Sequence, residues 1–331
     1  MTSTYLSNLK LRWDKILEER PGLGILVSTA LFGLILVLIL TFASDRFLTV
    51  RNITNIFNQF SVYLILAVGM TLVMDTGGID ISVGSMVGIG TVILGTAVIR
   101  DGMAWWVGIL LVMVGTTACG LFNALFVVKF KVPAIIVTLG TLTMFRGIAY
   151  VYQEGQTYFG FPPQIVWFSR TRLFGLIPLP VILSLLILVA GHIFLTRTRT
   201  GRHLSAVGGN EKAARLSGIN VGFVRGLAFV IMGVLAGIAA VLNTARLDAS
   251  QAVAGTGYEL HVIASVVVGG TSLFGGKSLM IGTFLGVLIL GILENGLLLA
   301  GVSYYFQRVF LGLIFILVVA FRTVREKREE V

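Results

Sequence analysis

From about residue 22 onward, long apolar runs alternate with short polar links. A helix that crosses a bilayer needs about 20 mainly apolar residues. That window predicts spans at 22–43, 57–76, 82–99, 104–127, 133–152, 176–195, 225–246, 260–272, 279–299 and 304–321. The eighth is too short for a simple crossing, and only a glycine-rich link separates the second from the third. The expected fold is an all-α polytopic membrane protein of about ten transmembrane helices, some broken or short. The first run follows a charge-rich segment and is long enough to span, so a cleaved signal peptide is not expected.

Composition agrees with that pattern. Of 331 residues, 56% are hydrophobic and 12% charged, and the mean hydropathy is +0.96. Soluble domains carry about 25% charged residues. Half the usual water-facing surface is therefore missing, which excludes a soluble enzyme, a disordered chain and a disulfide-stapled secreted domain.

A net charge of +10 would suggest nucleic acid in a soluble protein. Laid on alternate sides of ten spans, however, lysine and arginine divide 17 against 6. The larger share marks the cytoplasmic side. Both termini are expected there: an N-terminal segment 1–21, a single transmembrane domain 22–321 with a cytoplasmic loop at 196–225, and a tail 322–331. The basic excess orients the chain in lipid, and no nucleic-acid partner is expected.

Two glycine clusters interrupt the apolar pattern. The first runs from Asp75 through Gly77, Gly78, Asp80 and Ser82 to Gly88. Irregular backbone at membrane depth survives only inside protein or beside a water-filled cavity. The link is thus either a broken helix beside a solute pathway or a tight cytoplasmic turn with Asp75 and Asp80 in water. Ser82 or Asp80 is a candidate cap for the helix that resumes. The second cluster, Gly269 to Ser278, imitates a phosphate-binding loop, but Gly276-Lys277-Ser278 needs glycine at 271 and Thr271 stands there. The chain is not expected to hydrolyse ATP itself.

Within the basic loop, Asn210 is a good N-cap, Glu211 puts negative charge in the first turn, Ala213, Ala214 and Leu216 favour helix, and Gly218 is a good stop. A helix of about two turns is predicted. Helices this short are marginal in water, so it docks on a partner protein or lies on the inner leaflet.

Taken in order, Thr76 to Ser85, Thr138 to Thr141 with Phe145-Arg146-Gly147, Gly208 to Glu211, Ala214 to Ile219 and Ala264 to Lys277 resemble the membrane subunit of ATP-binding cassette sugar importers, the ribose, xylose and arabinose permease family. Ser278-Leu279 departs from the Gly-Ser more usual there. The resemblance implies a bacterial inner-membrane permease that translocates a pentose or hexose by alternating access. Its implied partners are a second permease subunit, a cytoplasmic ATPase and an external sugar-binding protein. It implies a coupling helix after Gly209, with Asn210, Glu211, Ala214, Arg215, Leu216 and Gly218 contacting the ATPase.

Polar residues inside spans are costly and default to function. Arg146, Glu294, Asn295 and Arg308 fall in this class, and Glu294 and Arg308 lie at similar depth where they could pair or snorkel. Asn58, Gln59 and Asn123 join Gly77, Gly78, Asp80 and Ser82 as pathway or gate candidates, with helix-to-helix hydrogen bonding the alternative. Arg46, Arg51, Arg170, Arg172 and Arg246 are candidates for docking the binding protein, or for ordinary headgroup contact. His192, His203 and His261 have no metal-ligand spacing, Cys119 sits alone in an apolar run, and neither metal nor cofactor is expected. An ion-coupled transporter using Glu294, or an ATP-driven permease for a non-sugar solute, are the alternatives weighed against the sugar importer.

Overall fold

The computed structural model describes residues 21–329. Its helices begin with α1 (Pro21–Ala43), α2 (Val50–Asp75), α3 (Val83–Gly95), α4 (Trp105–Val128) and α5 (Ala134–Gln153). They continue with α6 (Pro163–Arg170), α7 (Leu179–Arg197), α8 (Arg199–Gly209) and α9 (Glu211–Leu216). The last four are α10 (Val221–Leu247), α11 (Tyr258–Val268), α12 (Met280–Leu299) and α13 (Tyr304–Glu329). Eight of these are long and apolar enough to cross a membrane: α1 to α5, α7, α10 and α12, with a π-helical turn at Thr96–Arg100 completing α3. Two further apolar helices, Tyr258–Val268 and Tyr304–Ala320, are shorter. All ten predicted runs are thus helical in their apolar parts. The N-terminal segment expected at 1–21 lies outside the described residues apart from Pro21, and the tail expected at 322–331 is described only as helical backbone to Glu329.

The fold is all-helical but for two minimal ladders in the links. A two-residue strand β1 (Tyr158–Phe159) pairs antiparallel with β4 (Ala249–Ser250), Tyr158 opposite Ser250. A second small ladder joins β2 (Arg172–Leu173) to β3 (Ile177–Pro178). Both lie in links, where a hydropathy window has no signal to read.

The centre of the bundle is α10, packed against α4, α2 and α3, with Phe229, Met232, Leu64 and Met86 fully buried around it. A methyl group at Gly120 would strike the Phe229 carbonyl, and one at Gly233 the Thr116 carbonyl. The α4 and α10 backbones therefore approach to a distance that only glycine permits. By contrast, only 6% of the α1 window is buried against 83% for α2. Helix α1 lies on the outside of α12, with Leu40 seated over Gly296.

Helices α2 and α12 run antiparallel and define two ends of the bundle. At one end Asn52 and Asn295 exchange amide hydrogen bonds of 2.9 and 2.8 Å. At the other, the Gly276 N–H donates to the Asp75 carbonyl at 3.0 Å. This second end carries the basic loop 197–225 and is called the basic end below.

Candidate functional site

At the basic end, three glycine-bearing segments that are far apart in sequence meet backbone to backbone. Ser205 of α8 donates its hydroxyl to Asp75 Oδ2 at 2.6 Å, across 130 residues of chain. One turn on, a methyl at Gly208 would collide with the Asp75 carbonyl. Gly275, at φ +91°, lies against the Gly77 N–H, and Gly77 is itself left-handed at φ +77°. Both positions demand glycine, because an L side chain there is strained as well as crowded. Asp75 and Asp80 are fully buried, which overturns the reading of a turn with both carboxylates in water.

The link 76–82 folds inward from this junction. Asp80 Oδ1 accepts from the Ser82 N–H at 3.0 Å and from the Ser82 hydroxyl at 2.6 Å. It is therefore Asp80 that restrains the start of α3, while the Ser82 side chain makes no cap hydrogen bond to the helix. Asn123 of α4 donates to Ser82 Oγ at 2.9 Å and to Asp80 Oδ2 at 3.4 Å. The Ile79 carbonyl receives the Thr138 hydroxyl at 3.0 Å. Asp80, Ser82 and Asn123 are brought together as predicted candidates, in a buried knot with no exposed surface.

Helix α9 hangs from the same junction, directly after α8. Asn210 Oδ1 accepts from the Ala213 N–H at 3.0 Å, and Gly218 ends the turn at φ +80°. Glu211 pairs with Arg225 at 3.0 Å and Arg215 at 2.9 Å. Those guanidiniums, Arg225 foremost, hold its carboxyl below the usual glutamate range. Ala214 faces inward, whereas Leu216 is 90% exposed, an apolar side chain standing almost free of its own protein. Between Glu211, Arg225, Lys131 and the backbone of Gly77 and Gly78 lies a cavity of about 630 Å³.

Toward the other end, the segment 249–257 turns back along α3 instead of capping α10. Ser250 packs on Gly95, Ala252 and Ala254 on Gly88, and Gly255 on Gly84, so β4 and the turns after it trace most of the length of α3. Irregular backbone in this position needs partners for its carbonyls. Arg146 supplies two of them, donating from one nitrogen to Ala252 O at 2.5 Å and Ala254 O at 2.6 Å. Gln153 Nε2 donates to Ser250 O at 2.8 Å, Thr91 Oγ1 to Gln251 O at 3.1 Å and Arg308 to Thr256 O at 2.9 Å. Helix α11 then begins in the interior, which explains why its apolar run is only 11 residues long.

Two cavities open beside that helix start, the smaller one walled by leucines of α11, α12 and α13 as well as by polar side chains. The smaller, about 250 Å³, is bounded by Gln59, Tyr63, Tyr258, His261 and Glu294, with Tyr304 and Arg308 across from them. The larger, about 900 Å³, shares Gln59, Glu294, Tyr304 and Gln307, and extends to Asn52, Asn58, Asn295, Arg170, Arg172 and Arg246. Gln59 Nε2 donates to Glu294 Oε2 at 3.2 Å. His261 stacks on Tyr63 with ring centroids 3.9 Å apart, its Nδ1 3.8 Å from Glu294 Oε2.

Among the predicted pathway residues, Asn58, Gln59, Glu294 and Asn295 line these cavities. Gly77 and Gly78 line the one at the basic end. Arg146 serves the carbonyls of the re-entrant segment instead. Glu294 and Arg308 share the small cavity without forming an ion pair; Arg308 turns to Thr256 and the Tyr304 hydroxyl. Arg46, Arg51, Arg170 and Arg172 are exposed, and Arg170 lies 3.4 Å from Asp248. Arg246, expected with that docking set, is half-buried in the cavity wall next to Asn243. Sequence reasoning missed Tyr63, His261 and Ser205. Nothing in the spacing of the three histidines singled out His261, and Ser205 gains meaning only from Asp75.

A helical bundle with a broken span, polar cavities within its apolar body and a capped helix projecting from one end defines a multi-pass membrane transport protein. The chain belongs to the family described as branched-chain amino acid transport system / permease component, which matches residues 52–319. It is 41% identical to the ribose import permease protein RbsC of Escherichia coli (strain K12), over 86% of this chain and 90% of that one. The RbsC protein of Bacillus subtilis (strain 168) is 39% identical over 94% of each chain. The D-allose transport system permease protein AlsC of Escherichia coli (strain K12) is 37% identical, over 95% of this chain and 93% of its own. Among solved structures, an inward-facing ABC transporter assigned to the metal-chelate type superposes with a TM-score of 0.55 at 15% identity, covering 90% of this chain and 99% of that one. That likeness concerns the fold alone.

Proposed function

We propose that the chain is the membrane permease of an ATP-binding cassette importer that carries a monosaccharide, of pentose or hexose type, across a bacterial inner membrane. It crosses about ten times with both termini in the cytoplasm, and the basic end is the cytoplasmic face. Two permease subunits flank the pathway, a separate ATPase docks below, and an external binding protein delivers the sugar. The ribose and allose relatives support the substrate class.

The observation that carries the coupling role is the junction beneath α9. An exposed Leu216 offers a partner an apolar contact, and α8 ties that helix to both glycine links through Ser205–Asp75 and the Gly208 contact. A pull on Asn210 to Gly218 therefore reaches the end of α2 directly and α12 through the glycine link that precedes it. Closing of two ATPases draws the two coupling helices together, and the spans open outward in response. On the opposite face, the exposed Arg46, Arg51, Arg170 and Arg172 meet acidic patches of the binding protein. Asn58, Gln59, Glu294 and Asn295 line the outer part of the pathway, and Gly77 and Gly78 its inner gate.

Deleting 211–217 tests this reading. The deleted chain is expected to insert in the membrane, lose its ATPase and import no sugar. Normal coupled import by the deletion would refute the assignment.

A further inference from the structure

The small cavity beside α11 has a chemistry that the general reading of a pathway does not use. Its wall combines ring faces with hydrogen-bonding groups of both kinds: Tyr63 and Tyr258, the Gln59 amide, the Glu294 carboxylate and the His261 imidazole. His261 is 2% exposed, and neither of its ring nitrogens has a hydrogen-bond partner. A buried imidazole left this way is costly unless something visits it. The glutamate is 27% exposed and spends one oxygen on Gln59, so it retains acceptor capacity toward the opening.

Charge narrows the solute. Glu294 and Arg308 share the cavity wall, so their opposite charges leave no net attraction for a simple anion or cation. That leaves a zwitterion or a neutral polyol, and the sugar-importer reading selects the polyol. Such a molecule, with many hydroxyls, donates to Glu294, exchanges hydrogen bonds with His261 and Gln59, and lays its C–H face on an aromatic ring. The cavity, about 250 Å³, holds one such ring and not a chain of them. The interior start of α11 sets Tyr258 and His261 against Gln59 and Tyr63 of α2 and Glu294 of α12, and discontinuous helices are where transporters build solute sites.

We propose that this cavity is a binding station for a single neutral monosaccharide within the permease itself, with Glu294 as acceptor, His261 and Gln59 as partners and the partly exposed Tyr258 as platform. The proposal rests on the sugar-importer reading for its substrate class, but it is tested without transport. The full-length chain in nanodiscs, without ATP or binding protein, is titrated with D-ribose and, separately, with ribose 5-phosphate by saturation-transfer NMR. Saturable transfer to D-ribose and none to the phosphorylated sugar is expected. Glu294→Gln keeps the shape, and His261→Phe keeps the stack on Tyr63 while removing both nitrogens. Each should weaken ribose binding by about tenfold, the loss of one charge-assisted or buried hydrogen bond. No saturable transfer in the unaltered chain, equal binding of the phosphorylated sugar, or unchanged binding in both variants would each overturn the station. ATP-driven uptake by the unaltered importer is a separate measurement, so failure of the station and failure of the importer reading are distinguishable.

Discussion

Arg146 is a cation inside a predicted span, and its environment shows what such a residue is for. One guanidinium nitrogen satisfies the carbonyls of Ala252 and Ala254, in the turns that follow β4. Arg146→Ala leaves both oxygens without that donor, at an expected cost of about 1–3 kcal/mol. The check is the unfolding temperature in nanodiscs, which should fall for alanine and recover in part for Arg146→Lys; equal melting of all three contradicts the clamp. Glu211 makes a smaller, pH-dependent contribution. Its carboxyl titrates below the ordinary value of 4.5 because Arg225 and then Arg215 favour the charged form. Its stabilisation is therefore complete above that ordinary value and is lost as pH falls through the lowered one. Both partners are partly solvated, so the effect is below about 1 kcal/mol. The difference in melting between the unaltered chain and Glu211→Gln should be small at pH 7 and vanish in acid; a difference that grows on acidification contradicts the assignment.

At the scale of elements, the junction of α8 with the two glycine links makes the sharpest demand. Gly208→Ala puts a methyl group into the Asp75 carbonyl, and backbone on both sides leaves nowhere for it to go. Ser205→Ala removes only the hydroxyl that reaches Asp75. The alanine at 208 is expected to abolish coupled import. The alanine at 205 should raise the ATP hydrolysed per sugar imported while the chain stays inserted and bound to its ATPase. An unchanged ratio for Ser205→Ala contradicts a transmitting role.

The same elements show what a sequence can disclose. The ten apolar runs, the Asn210 cap and the Gly218 stop were all legible, because each depends on residues within a few positions of one another. The re-entrant segment was not: Ala249 to Gly257 is a mixed polar link to any local window, and its partners Arg146, Gln153, Thr91 and Arg308 lie on other elements. The small cavity was half legible. Gln59 and Glu294 stand out as polar residues in spans, whereas Tyr63 and His261 acquire a role only where α2, α11 and α12 converge.

Across the whole molecule, the proposed reading gives each end its own partner. Leu216 on one end and the exposed arginines on the other are where partners would act, with lipid around the flanks. Reversing Arg46, Arg51, Arg170 and Arg172 together should weaken stimulation of ATP hydrolysis by the loaded binding protein, most at low salt. Undiminished stimulation contradicts docking on that face. The same wall that holds Glu294 would also serve an ion-coupled carrier, so the energy source decides the central claim. Sugar uptake is measured in vesicles that contain the chain and its ATPase, with loaded binding protein outside and ATP inside. Uptake that requires internal ATP and persists when proton and sodium gradients are collapsed is the predicted result; uptake driven by an ion gradient without ATP would contradict the account.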